Sequence, residues 1–130
     1  MKLRFHDNSL RLRLSQSDVA QLQDTGMVEN RITFSPDQSL VYSIASGPVP
    51  EIAATFSKNR LEVLVPRLVA KNWLETDQTG IEAATSSLRI LIEKDFQCLH
   101  RASAEDADGF PNPLAATVSE PSSQAKPLQK

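Results

Sequence analysis

Two stretches of this chain run in step and limit what it can fold into: DNSLRLRLSQSDVAQL from Asp7, and KNRLEVLVPRLVAKNWL from Lys58. Each opens on a turn pair, continues as a strand with apolar residues at alternate positions, and passes straight into a helix. A shift of 51 residues places Phe5 on Phe56, Asn8 on Asn59, Leu10 on Leu61, Leu12 on Val63 and Leu14 on Val65. The same shift carries Leu22 onto Trp73 and Thr25 onto Thr76; beyond the helix the offset becomes 48, and Ser39-Leu40 meets Ser87-Leu88. Self-similarity at a fixed period is the mark of a repeated structural unit. Between the matched positions the residues change: Arg11 meets Glu62 and Arg13 meets Leu64. Successive strand side chains face opposite sides, so the buried side recurs and the arginines belong to one half only.

The coarse reading is a ββαββ unit used twice, repeat 1 over about 2–46 and repeat 2 over about 52–95. Strands are expected at Lys2–His6, Ser9–Leu14, Val28–Phe34 and Leu40–Ala45, with Asp7-Asn8 and the Ser35-Pro36-Asp37-Gln38 run as turns. Ser15 and Asp18 have the spacing of a capping box for the first helix, which buries Val19 and Leu22 and ends at Gly26 in the left-handed region. The second half repeats the order with strands at Ile52–Phe56, Leu61–Val65, Ile81–Thr85 and Leu88–Glu93. Its helix starts at Pro66, where a missing N–H has no intrahelical partner to lose, carries Leu68, Val69, Trp73 and Leu74, and is closed by Asp77-Gln78-Thr79-Gly80. One unit is too small to bury its own apolar face, so both should share one core. The expected fold is α+β, mostly β, in which two ββαββ repeats form one pseudo-symmetric barrel-like domain with two short helices over residues 1–100.

From Arg101 the pattern stops. Residues 101–130 hold Pro111, Pro113, Pro121 and Pro127 among many small residues, with no regular apolar period. Such a stretch cannot bury enough surface to offset its ordering entropy and is read as a disordered Pro/Ser/acidic tail. No apolar run approaches the ~20 residues of a membrane helix, and MKLRFHDN is too charged for a signal-peptide core. A lone cysteine, Cys98, excludes an internal disulfide and agrees with a reducing, cytoplasmic setting. The net charge of −2 argues against a generic nucleic-acid binder.

The two quoted stretches resemble the opening of AbrB/MazE-type swapped-hairpin units, in which a turn precedes a strand ending in an apolar-Pro step and a short helix. Val65-Pro66 matches that step; Leu14-Ser15 departs from it, a serine cap replacing the proline. The resemblance covers residues 2–95. It implies interleaved hairpins closing a barrel, and either DNA binding through basic residues or partner binding through a C-terminal tail. Through DNSLRLRLSQSDV, LIEKDFQCL and DADGFPNP the whole chain also resembles a family of small uncharacterised bacterial proteins, which implies a bacterial context and no activity.

Three functional readings follow. A non-enzymatic protein-interaction module would use the tail, where Glu105, Asp106 and Asp108 precede the aromatic Phe110 and could lie across a basic partner surface. A DNA-associated regulator would use Arg4, Arg11 and Arg13, since arginines two apart on one strand face can follow a phosphate backbone. The bland alternative is that they solvate an outer face, and residues 1–100 hold eleven Lys and Arg against twelve Asp and Glu. A metal-binding protein would draw on Cys98 and His100 with Asp95 or His6, but no second Cys/His pair stands at ligand spacing. No glycine-rich phosphate loop and no oriented nucleophile–base pair is present, so no enzyme and no cofactor is expected. The partner is expected to be a protein, with no membrane association and a monomer or small homo-oligomer as the working state.

Overall fold

The computed structural model describes residues 1–85 and 87–96. The elements are β1 (Lys2–His6), β2 (Ser9–Leu14), α1 (Gln16–Thr25), β3 (Met27–Ser35), β4 (Gln38–Gly47), β5 (Ala53–Ser57), β6 (Arg60–Pro66), α2 (Arg67–Glu75), β7 (Gly80–Thr85) and β8 (Leu88–Lys94). The order ββαββ–ββαββ is that expected from the sequence, with boundaries moved by a few residues, most at β4. The tail assigned to 101–130 lies outside the described residues.

The α1 boundaries follow from local chemistry. The Ser15 hydroxyl accepts from the Asp18 N–H at 3.2 Å, and Asp18 accepts from the Ser15 N–H at 2.9 Å. Gly26 ends the helix at φ 83°, and its N–H donates to Leu22 O. In α2 Pro66 is the N-cap and offers no side-chain bond, and the helix stops at Glu75 with Thr76 extended. Of the expected Leu68, Val69, Trp73 and Leu74, Trp73 is buried together with Ala70 and Leu74 packs partly buried against the core, whereas Val69 is exposed and Leu68 is 81% exposed. At about 100° per residue, a helix that seats the bulky Trp73 must turn Leu68 outward.

The strands form two four-stranded sheets, ordered β1-β2-β8-β7 and β3-β4-β6-β5. Hairpin partners are antiparallel, whereas the central pairs β2/β8 and β4/β6 are parallel. Each half of the chain thus gives one hairpin to each sheet, and neither half completes a sheet alone. The register is shared as well. Leu10 faces Ile90 and Leu12 faces Ile92 in one sheet; Leu61 faces Tyr42 and Val63 faces Ile44 in the other. These are the same pairs under the offsets of 51 and 48. Two further bonds have donors that match under the offset of 48, Ser46 N–H to Gly26 O and Lys94 N–H to Thr79 O.

Both sheets feed one buried cluster, with Leu12, Ile44, Ile90 and Ile92 fully inaccessible and Leu22 and Trp73 contributed by the helices. Each such side chain contributes about 1.5–3 kcal/mol of burial free energy. The expected closed barrel is not formed. The parallel pairing uses the inner strands and leaves β1, β7, β3 and β5 as sheet edges, with no ladder from one sheet to the other among the described residues. The apolar alternation requires a shared interior, which two facing sheets supply as well as a barrel does.

Candidate functional site

The inner face of each sheet runs out of cover at one end. Phe5 lies opposite Leu10 in β1/β2, and Phe56 lies opposite Leu61 in β5/β6. Both face the interior side of their sheets, yet they are 62% and 64% exposed. Together with Leu10, Leu40, Leu61 and Leu88 they line an open groove of about 410 Å³, with Asp7, Asn8 and Ser9 at its rim. The apolar lining comes in matched pairs under the sequence offsets: Phe5 with Phe56, Leu10 with Leu61, Leu40 with Leu88.

The hairpin turns hold this end in place. Asp7, Lys58 and Asn59 adopt φ of 52°, 50° and 61°, as two-residue hairpin loops demand. Asn8 O accepts from Arg89 N–H at 3.1 Å and Asn59 O from Val41 N–H at 3.0 Å, so each turn anchors the neighbouring hairpin of its own sheet. The Asn8 side-chain amide adds a 2.8 Å bond to Ser87 O. On the β3 side the apolar surface continues, because Ile32 pairs with Leu40 in register and is exposed, as is Phe34. Contiguous apolar surface of this kind marks a contact site more often than plain solvent-facing surface.

Chemically the groove offers burial and little else. Its rim hydroxyl, Ser9 Oγ, donates to His6 O at 2.6 Å. Among the described residues no group of three His, Cys, Asp or Glu side chains could hold a metal ion. A second cavity, of about 590 Å³, lies along the β7 edge between Ile52, Val69 and Ile81. Three carboxylates line it, Glu51, Glu82 and Glu93; Glu82 is engaged by Arg89 and Glu93 by Arg11 and Arg13.

Register places the arginines singled out in the sequence on one face: Arg4 beside Arg11, Lys2 beside Arg13, and His6 beside Ser9. That face is not purely basic. Glu93 Oε1 lies 3.4 Å from Arg11 Nε and 3.5 Å from Arg13 Nε. Lys2 Nζ bonds Asp95 at 2.9 Å, and this bond, with the charges of Lys2 and Arg13, holds the Asp95 carboxyl below its ordinary range. The outer face of the other sheet is bridged too, Arg60 reaching Glu29 at 2.8 Å.

The two metal candidates among the described residues, His6 and Asp95, are not brought together. His6 is exposed and pairs with Asp7 at 3.4 Å at the turn end of the sheet. Asp95 N–H bonds Leu14 O at the other end, the length of β2 away, roughly 17 Å. Cys98, His100, Glu105, Asp106, Asp108 and Phe110 lie outside the described residues. Sequence reasoning missed the groove, although the sequence holds its signal: an aromatic stands at the same place in both halves, at the end of the strand that enters each turn.

A model of a family of unknown function (DUF7009) matches residues 1–114, so the chain belongs to that family. The resemblance to a family of small uncharacterised proteins is thereby borne out. No curated protein matches the chain.

Proposed function

We propose that this member of the family is a non-enzymatic bacterial protein-interaction module, acting in the cytoplasm, whose docking surface is the apolar groove between the two hairpin ends. The observation that supports this most is the pair Phe5 and Phe56, both facing the sheet interior and both more than three-fifths exposed. Burying two such rings on a partner would contribute several kcal/mol, and aromatic anchors in a desolvated centre are what protein interfaces favour. The reading rests on an internal duplication: two swapped ββαββ units share one core and create the groove where their first hairpins end. In this reading the domain is 1–100, with 101–130 as a tail beyond it.

The test is photo-crosslinking in cells, with a photoreactive phenylalanine at position 5, 56 or, as a control, 68 on the exposed side of α2. The same protein trapped from 5 and 56, but not from 68, is the expected result. Equal trapping at all three positions, or none at 5 and 56, would reject the groove as a docking surface.

A second reading, an AbrB/MazE-like DNA-associated regulator, is favoured by the register that aligns Lys2, Arg4, Arg11 and Arg13 on one face. It requires a shifted DNA band at low salt that fades steeply as salt rises and is lost in Arg11→Ala/Arg13→Ala. Glu93, set between those two arginines, opposes it.

A further inference from the structure

We infer that the occupant of the groove is a second copy of this chain, docked face to face about a two-fold axis; this rests on the groove being a docking surface. The first support is the composition of the surface. Three matched pairs of apolar residues, Phe5/Phe56, Leu10/Leu61 and Leu40/Leu88, line it from opposite sides. A surface whose two sides carry the same apolar residues sets apolar against apolar when it faces its own copy, the chemical self-match that an isologous interface demands.

The second support is charge. Asp7 and Lys58 occupy the same turn position of the two hairpins, at φ 52° and 50°; Asp7 stands at the groove rim, and Lys58 lies in the turn between Phe56 and Leu61, which line the other side. Residue type is preserved at the neighbouring Asn8 and Asn59 and at the phenylalanines, but at this position the charge is inverted. Two copies facing each other about an axis that runs along the groove, between its two sides, bring Asp7 of each against the partner's Lys58. Both ends of the interface then hold an ion pair and no like-charge contact. The Asp7 carboxylate is 90% exposed, its neighbour being the likewise exposed His6 ring at 3.4 Å, so it is accessible to a facing ammonium. Rim pairs of this kind set orientation and encounter rate around an apolar centre that supplies affinity.

Charge exchange in the full chain tests the arrangement, read by sedimentation velocity over a range of concentrations. Asp7→Lys sets an ammonium group against the partner's Lys58 at each end of the interface, and Lys58→Asp opposes two carboxylates there. Each is expected to raise the dimer dissociation constant roughly tenfold or more. The double exchange Asp7→Lys/Lys58→Asp restores the pairs and is expected to return association close to wild type. All three variants should fold, because each residue type already occupies this turn at a matching φ; circular dichroism confirms it. A wild-type chain that stays monomeric at every concentration would overturn the inference, and so would a dimer indifferent to both single exchanges or one the double exchange fails to restore. The crosslinks at positions 5 and 56 separate the two readings. If they trap another protein while the chain sediments as a monomer, the docking surface stands and only the identity of its occupant is rejected.

Discussion

Asp18 shows how much one side chain can carry here. It completes the Ser15 capping box and lies 2.8 Å from the Met1 amino group. Partial burial pushes its carboxyl up, but the hydrogen bonds from the amino group and from Ser15 outweigh this and hold it below the ordinary carboxylate range. A carboxyl with a lower pKa folded than unfolded stabilises the fold above its unfolded value, near pH 4, and loses that contribution as pH falls through the folded value. In urea titrations wild type should therefore be more stable than Asp18→Asn at pH 7, with the gap closing below about pH 4. Trp73, 1% exposed, is the largest core side chain. Trp73→Ala should cost about 3–5 kcal/mol. Trp73→Phe should cost far less, because the buried Nε1 makes no hydrogen bond among the described residues. The match of Leu22 with Trp73 foretold their burial; nothing in the sequence separates exposed Leu68 from buried Ala70, because that depends on how Trp73 seats.

At the scale of the element, the two helices start by different means. α1 has a side-chain cap in both directions, and α2 has a proline that supplies only a favourable φ. Ser15→Ala should therefore cost about 1 kcal/mol of unfolding free energy, while Pro66→Ala should cost less; chemical denaturation of the two side by side checks this. Gly26 at φ 83° is the left-handed stop of α1, so Gly26→Ala should destabilise by about 1 kcal/mol. Caps, turns and strand alternation are local chemistry and were legible in order and position. Edge behaviour was not. The apolar Ile32 and Phe34 of β3 have the look of core residues, but β3 is an outer strand and its far end has no facing layer.

Over the whole molecule, the sequence carries the duplicated order but not the way hairpins partition. Two sheets and a closed barrel both bury one side of every strand, so alternation cannot choose between them. The parallel pairs β2/β8 and β4/β6 join residues about eighty and twenty apart in the chain, and no local signal specifies such contacts. The groove follows from that partition: it exists because two equivalent hairpins end side by side without a layer over them. Its aromatic pair, and not the arginines of β2, is the surface on which association is predicted to depend. Sedimentation of two double variants against wild type tests this most directly. Phe5→Ser/Phe56→Ser should abolish concentration-dependent association while keeping the native circular dichroism, and Arg11→Ser/Arg13→Ser should leave it unchanged. Association that survives loss of both phenylalanines, or disappears with the two arginines, would contradict the account.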